Sequence, residues 1–174
     1  RVSLQKKNVL DKKLPKADLI CALNFSYFIF KQRSMLVQYF KNVHSRLNPK
    51  GAFVLDCFGG PQCQEPIRER RHIEDGDFYY YWDQENFDYV NNEAKFNIHF
   101  KLKGKPIQEK VFSYDWRLWS IAELRDVLMD AGFKKVDILV EDSDEDGDGN
   151  GEFSNVQGSD ELCESWIAYI LASK

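Results

Sequence analysis

Two apolar stretches of this chain end in residues that could bind a ligand. Asn24 and Ser26 follow the run ADLICAL, while Asp56 lies near the end of the run AFVLDCF and is followed by Gly59 and Gly60. Amide, hydroxyl and carboxylate groups hydrogen-bond ligands, and glycine lets the backbone approach them closely. In parallel α/β sheets, ligands bind beyond the carboxyl ends of the strands. These residues therefore predict a binding site; the simpler alternative is that Asn24 and Ser26 cap the next segment and Asp56 satisfies a turn.

The acidic segment of residues 141–157 has the spacing of a calcium loop. Counted from Asp146, oxygen-bearing side chains fall at positions 1, 3 and 5, and Gly151 falls at position 6, as in an EF-hand. Gln157, however, occupies position 12, where a bidentate Glu is expected, and predicted strands flank the segment instead of helices. We therefore predict that residues 142–160 form an acidic flexible loop without metal, with weak calcium binding as the alternative.

The histidines and cysteines add no recognisable catalytic pattern. No histidine has a Cys, Ser or Asp partner at a spacing typical of a metal site or a triad; the histidines are His44, His72 and His99. The absence of a CxxC pair favours free, buried thiols in a reducing compartment over disulfides; the cysteines are Cys21, Cys57, Cys63 and Cys163. The basic run RERRH (68–72) is interpreted as solvated surface, or as an aid in attracting an anionic acceptor.

The elements that must position these residues follow an α/β pattern in the first third of the chain. Residues 1–4, 17–23 and 52–58 are predicted strands, and a helix over 34–47 joins the last two as a βαβ unit. Ser34 is its predicted N-cap, and the segment NPKG is expected to end it.

The pattern then changes to three extended segments between residues 77 and 117, which predict an antiparallel meander because apolar and polar residues alternate. A helix follows, with Ser120 and Glu123 as a capping box and Gly132 just after its end. Two further strands, 135–141 and 165–172, are joined by the acidic segment and are predicted to pair antiparallel.

Four stretches in this order resemble class I S-adenosylmethionine-dependent methyltransferases: ADLICALNFSYFIF, YFKNVHSRLNPKGAFVLDCFGG, RLWSIAELRDVLMDAGF and ESWIAYILASK. The resemblance covers residues 1–60 and 117–174. It implies an α/β, Rossmann-like sheet of order 3-2-1-4-5-7-6 in the whole protein, with residues 2–5 as the third strand. It also implies that the methyltransferase core is formed by these two ranges and that residues 61–116 are a β-meander insertion serving as a substrate lid.

The glycine-rich turn after the first strand of that family, and the acidic residue that closes the second, do not occur in this chain. We expect the first two strands, about 80 to 120 residues, to precede Arg1. The chain alone is therefore expected to be inactive and to bind the cofactor poorly.

The resemblance also implies site residues. Those in contact with S-adenosylmethionine would be Asn8, Val9, Asn24, Phe25 and Ser26. Those in contact with the methyl acceptor would be Tyr27, Asp56, Gly59, Tyr80, Trp82, Tyr114, Trp116 and Arg117. Aromatic walls suit an apolar or cationic acceptor; the alternative is that the rings form the core of the meander itself.

The predicted function is methyl transfer to a small molecule, a reaction that depends mainly on alignment in a shielded site. The alternative is a non-catalytic, methyltransferase-like interaction module. The net charge of −4 argues against nucleic acid as a partner. No apolar run reaches the roughly 20 residues of a membrane span, and no signal peptide opens the chain, so a cytoplasmic location is predicted.

Overall fold

The computed structural model describes residues 2–11, 13–143, 149–158 and 163–174. They divide into two compact units, which we call the core unit and the meander unit. The core unit comprises the described residues of Arg1–Phe58, Ser120–Glu161 and Trp166–Lys174. The meander unit comprises the described residues of Gly59–Trp119 and Leu162–Ser165. The domain boundaries expected from the sequence stay a prediction.

The core unit is built on a mixed sheet with two helices. Its elements are β1 (Ala17–Ala22), α1 (Arg33–Arg46), β2 (Leu47–Gly59), α2 (Ile121–Asp130), β7 (Lys135–Ser143), β8 (Gly149–Val156) and β9 (Trp166–Ser173). Among the described residues, the sheet order is β1-β2-β9-β7-β8. β1 pairs with β2 in parallel, and β7 pairs antiparallel with both β8 and β9. The α/β fold class is thereby confirmed, while the full seven-strand order stays a prediction.

Helix α1 covers the sheet with an apolar face. Its buried residues are Leu36, Tyr39, Phe40 and Val43, at the spacing of one helical face. The Phe40 ring packs edge-on against Phe53 of β2, with 5.5 Å between centroids, and Phe53 in turn stacks on Phe133 at 6.0 Å. This aromatic contact fixes α1 over the strand that carries Asp56.

Helix α2 begins and ends with the signals that the sequence contains. The Ser120 side chain accepts the Glu123 N–H, and the Glu123 carboxylate accepts the Ser120 N–H at 3.0 Å, which completes the capping box. At the other end Gly132 has a φ of +103°, and the Gly132 and Phe133 N–H groups bond Met129 and Leu128 carbonyls. This is a Schellman ending, which needs a left-handed residue at the Gly132 position.

Two local predictions in the first half of the core unit were wrong. Residues 2–5 form no strand in the described structure; they are exposed, because no strand lies beside them to accept their backbone hydrogen bonds. Helix α1 starts after Gln32, so Ser34 lies inside the helix and is not its N-cap. The segment NPKG forms an irregularity within β2: Ala17 pairs with Leu47, whereas Leu19 pairs with Ala52.

The meander unit is an antiparallel sheet of β3 (Ile67–Ile73), β4 (Phe78–Gln84), β5 (Glu93–Leu102) and β6 (Gln108–Arg117), in that order among the described residues. The sequence predicted the last three strands only. β3 contains the basic run RERRH, which was interpreted as solvated surface; most of its residues are exposed, but the sequence did not predict that they form a strand. Every residue of β3 pairs with one of β4, from Ile67 with Gln84 to Ile73 with Phe78.

Candidate functional site

The loop that follows β1 is pinned to the end of β2 by one carboxylate. Asp56 Oδ2 accepts the N–H of Asn24 at 2.8 Å, and Oδ1 accepts the N–H of Phe25 at 2.9 Å. Both donors lie in the left-handed region, with φ of 56° and 54°, which non-glycine residues rarely adopt. The Asp56 carboxylate thus stabilises a strained turn at the carboxyl edge of the parallel strands.

Tyr27 holds the same loop to the end of β2 by a further hydrogen bond. Its hydroxyl donates to the Asp56 backbone carbonyl at 2.7 Å, and its side chain is only 1% exposed. Burial raises the pKa of Tyr27 well above its ordinary value, with smaller contributions from Cys57 and Asp56, so its hydroxyl stays protonated. The geometry favours positioning roles for Asp56 and Tyr27; direct contact of either with an acceptor stays a prediction.

The side chains left at the surface of this loop are those of Asn24 and Ser26, both exposed, beside the half-buried ring of Phe25. The Phe25 ring meets Phe58 edge-on at 4.5 Å, and Phe58 stacks on Phe28 at 5.6 Å. The edge therefore offers an amide and a hydroxyl above an aromatic wall. Such a surface fits a ligand with polar groups on an apolar ring system.

Asn8 forms a local turn, and Val9 beside it is bonded to α1. The Asn42 side-chain amide donates to the Val9 carbonyl at 2.7 Å, and Asn8 Oδ1 accepts the Leu10 N–H at 2.9 Å. A cavity of about 270 Å³ beside this turn is lined by Leu10, Gln38, Lys41, Asn42, Ser45 and Arg46. The Asn42 bond holds Val9 against α1, and a shared site of Asn8 and Val9 with Asn24 stays a prediction.

In the meander unit, one face of the sheet is aromatic. Tyr80 and Trp82 of β4 lie opposite Phe100 and Ile98 of β5, and Tyr114 of β6 lies opposite Phe96. Because side chains alternate along a strand, these residues share one face. The rings are close together: Trp82 and Phe96 are 5.1 Å apart, Phe96 and Trp116 5.4 Å, and Tyr114 and Trp116 4.4 Å.

The four predicted acceptor aromatics of this face differ in exposure. Trp116 is 3% exposed and belongs to the core of the unit, whereas Tyr80, Trp82 and Tyr114 are half-buried. Burial raises the pKa of Tyr80, and the nearby Tyr114 raises it further, so both effects keep the Tyr80 phenol neutral. The face is thus partly core and partly exposed surface. Both alternatives therefore stay open: that the rings contact an acceptor, and that they form the core of the meander itself.

Arg117 is the last residue of β6, and Gly59 is the last residue of β2. The Arg117 guanidinium carbon lies 3.8 Å from the centre of the Trp119 ring, a cation–π contact. Gly59 ends β2 and is half-buried. The glycine with a structural requirement is its neighbour Gly60: its φ is +109°, and a Cβ there would lie 2.4 Å from the Glu164 carbonyl oxygen.

Comparison with known proteins was made on sequence and on structure. No family model and no curated protein sequence matches the chain. Solved structures do match. One is an S-adenosylmethionine-dependent methyltransferase from Clostridium acetobutylicum, with a TM-score of 0.65, 16% identity, and coverage of 98% of this chain and 64% of that one.

Two further structures agree with it. The CcbJ methyltransferase of Streptomyces caelestis has a TM-score of 0.62 at 17% identity, covering 97% of this chain and 62% of its own. CalS10 of Micromonospora echinaspora, an amino pentose methyltransferase with bound S-adenosylmethionine, has a TM-score of 0.58 at 11% identity, covering 96% and 62%. The chain has the fold of S-adenosylmethionine-dependent methyltransferases. It spans about three-fifths of the length of these structures.

Within this methyltransferase fold, the acidic segment is partly a strand. Residues 149–156, expected to be loop, form β8 and pair with β7, and Phe153 contacts Tyr169 of β9 at 4.9 Å. The sequence did not predict this strand, because glycine and acidic residues are uncommon in strands. Asp146 and Asp148, the first calcium positions, lie outside the described residues, so calcium binding stays untested. In the described ranges, no three His, Cys, Asp or Glu side chains are arranged to hold a metal ion.

The prediction of buried thiols was wrong at two of the four positions. Cys21 and Cys163 are exposed, whereas Cys57 and Cys63 are buried. His99 lies on the face of β5 opposite to the aromatic one, but it is only 1% exposed and lies between carboxylates. The alternation of side chains along β5 predicts the face on which His99 lies. It does not predict that His99 is buried. Neither helix has the length and apolar character of a membrane span in the part of the chain described.

Proposed function

We propose that this chain belongs to an enzyme that transfers a methyl group from S-adenosylmethionine to a small-molecule acceptor. The observation that carries the proposal is the Asp56-pinned loop of Asn24 and Phe25. A strained, non-glycine turn at the carboxyl edge of parallel strands is a feature of ligand sites. The methyltransferase fold supports the choice of ligand.

The chemistry of this edge fits one side of the cofactor. The exposed Asn24 amide and Ser26 hydroxyl can hydrogen-bond polar groups, and the half-buried Phe25 ring can pack against an apolar part. When bound, S-adenosylmethionine would supply a methyl group already activated on a sulfonium sulfur. The residues of this chain would then bind and orient it and exclude water.

We further propose that the acceptor contacts the aromatic face of the meander unit, through Tyr80, Trp82 and Tyr114. Half-exposed rings bind apolar surface and attract cations on their faces. CalS10 is an amino pentose methyltransferase, and an amine-bearing acceptor would suit this chemistry. A cytoplasmic location, and the absence of nucleic acid and membrane partners, stay predictions from the sequence.

Calorimetric titration with S-adenosylhomocysteine tests the cofactor assignment. The ligand would be added to the 174-residue chain and to its natural full-length polypeptide. We expect micromolar binding by the full-length polypeptide and at least tenfold weaker binding by the chain alone. A well-folded full-length polypeptide that does not bind would contradict the proposal and favour the interaction module.

A matched pair of variants tests the site itself. Asn24→Gly removes the amide while keeping a residue that tolerates the positive φ, so the loop is not strained. It should weaken binding by about fivefold, the value of one hydrogen bond. Lys50→Gly, also at a positive φ in the core unit but in the irregularity of β2, should leave the affinity unchanged. Equal affinities of both variants and wild type would remove Asn24 from the site.

A further inference from the structure

The aromatic face of the meander sheet carries two charged residues, both on β3. Glu69 pairs with Trp82 of β4, and Arg71 pairs with Tyr80. Residues that are paired directly across two strands have their side chains on the same face of the sheet, so Glu69 and Arg71 share the face of these two rings. Among the described residues that the strand register puts on this face, they are the charged ones.

Both charges lie close enough to Tyr80 to act on its phenol. Burial is the main cause that raises the pKa of Tyr80, and the nearby Tyr114 raises it further. Arg71 lowers this pKa, and Glu69 raises it. The Glu69 side chain is half-buried and that of Arg71 is exposed, and neither forms an ion pair or a side-chain hydrogen bond with another described residue. The carboxylate and the guanidinium are thus available to a ligand on this face.

The rings beside these charges are available as well. The half-buried rings of Tyr80, Trp82 and Tyr114 have no arginine or lysine over them in the part of the chain that the structure describes. On the opposite face, by contrast, the Arg70 guanidinium carbon lies 5.0 Å from the centre of the Tyr79 ring. An ammonium group of a ligand can therefore occupy ring faces that the protein's own cations leave open.

The spacing of the two charges selects the kind of ligand. Glu69 and Arg71 are two residues apart on one strand, a separation of about 6.5 Å. A carboxylate attracts an ammonium group, and a guanidinium matches the geometry of a carboxylate. A molecule with a single charge is attracted by one of the two residues and repelled by the other. A molecule that has an ammonium and a carboxylate group a few bonds apart meets an opposite charge at each end.

We propose that the aromatic face of the meander unit binds an amphoteric small molecule, with its ammonium group beside Glu69 and Trp82 and its carboxylate on Arg71. The inference rests on the proposed function in that it names the class of the methyl acceptor: an amine that also carries a carboxylate. Glu69 and Arg71 then determine specificity, and the rings bind the apolar part of the molecule between its charges. Recognition of the charged groups does not require the cofactor, so it can be measured without methyl transfer.

NMR titration of the natural full-length polypeptide tests the charge pattern. The probe is γ-butyrobetaine, whose nitrogen is fully methylated, so that the titration measures recognition alone. Two analogues remove one charge each: the primary amide lacks the negative charge, and the isostere with carbon in place of the nitrogen lacks the positive charge. The indole resonance of Trp82 would be followed at millimolar ligand. We expect each analogue to bind about threefold more weakly than the probe, as for the loss of one exposed charge pair.

Variants assign each difference to one residue. Glu69→Gln should bind the probe about threefold more weakly and should no longer distinguish it from the carbon isostere. Arg71→Gln should likewise lose the difference between the probe and its amide. Arg70→Gln, at the next position of β3 and on the opposite face, is the matched control and should keep both differences. A Glu69→Gln variant that still prefers the probe to the carbon isostere would contradict the proposal.

Two results with the unaltered protein would also overturn it. Equal binding of the probe and both analogues would mean that the rings act without the charges. A Trp82 resonance that moves with protein concentration, and not with the probe, would mean that a second copy of the protein occupies the face.

The titration with S-adenosylhomocysteine separates this inference from the proposed function. A full-length polypeptide that binds S-adenosylhomocysteine but does not respond to the probe would refute the acceptor class alone. One that responds to the probe but does not bind S-adenosylhomocysteine would refute methyl transfer and leave the binding site in place.

Discussion

The carboxylate of Asp56 reaches from the end of β2 to the backbone N–H of Asn24, 2.8 Å away and 32 residues earlier in the chain. A second bond, to Phe25, uses the other oxygen. Asp56→Asn keeps the shape but offers one acceptor and an amide that faces an N–H. We expect a loss of about 1 to 3 kcal/mol in the free energy of unfolding, because a part-buried donor is left unsatisfied.

Urea unfolding followed by tryptophan fluorescence measures this loss. Asp126→Asn, on the exposed side of α2, is the matched control and should stay within about 0.5 kcal/mol of wild type. An Asp56→Asn variant as stable as this control would mean that the bonds to the loop contribute nothing.

Two serines near helix starts should behave differently on replacement by alanine. Ser120 accepts the Glu123 N–H as an N-cap, so Ser120→Ala should cost about 1 kcal/mol. Ser34 lies inside the first turn of α1, where alanine is the better helix former, so Ser34→Ala should be neutral or slightly stabilising. Parallel urea titrations of the two variants provide the comparison; equal losses would contradict the observed start of α1.

Replacing two glycines of positive φ by alanine distinguishes the cost of a left-handed backbone from the cost of a steric clash. Gly60→Ala places a Cβ 2.4 Å from the Glu164 carbonyl oxygen, whereas Gly104→Ala meets nothing within 4 Å. Gly104→Ala should cost about 1 to 2 kcal/mol from its left-handed backbone alone. Gly60→Ala should cost clearly more, since residues 60 and 164 must move apart. Thermal unfolding of both variants will show whether the order is as expected or reversed.

The thiols should divide into two classes. Burial raises the pKa of Cys57 to about 12 and that of Cys63 to about 11, whereas Cys21 and Cys163 are exposed. At about pH 8 the buried pair stays protonated and inaccessible, so a disulfide-exchange reagent should label only the exposed pair rapidly. All four should react in urea. Rapid reaction of all four in the native protein would contradict the burial of Cys57 and Cys63.

Acid should weaken the meander unit partly through Glu85. Hydrogen bonds from Asn97, at 2.9 Å, and from Lys110, at 3.0 Å, hold the pKa of Glu85 below its usual range. A lowered native pKa contributes stability above the ordinary value of about 4.3, and this is lost as the pH falls through the native value. Glu85→Gln should therefore flatten the fall in stability between about pH 5 and pH 3. Glu74→Gln, on an exposed turn, should leave the slope unchanged.

Local signals in the sequence predicted the elements that depend on them. The Ser120–Glu123 box and Gly132 defined α2, because capping requires only residues close in sequence. β3 and β8 were missed because their composition is charged or glycine-rich; a neighbouring strand, not propensity, holds them extended. Polar residues at the carboxyl edge were predicted, but the bonds from Asp56 to Asn24 and Phe25 depend on the parallel register. The burial of His99 likewise depends on three other strands.

β1 is an edge strand of the sheet in the described part of the chain. Among the described residues β1 pairs with β2 alone, and Leu19 and Leu23 are 56% and 45% exposed. An open strand edge with apolar side chains is a template on which further chains can add. The concentration at which the 174-residue chain by itself stays monodisperse should therefore depend on the exposed residues of this edge, and a charge at Leu19 should raise it.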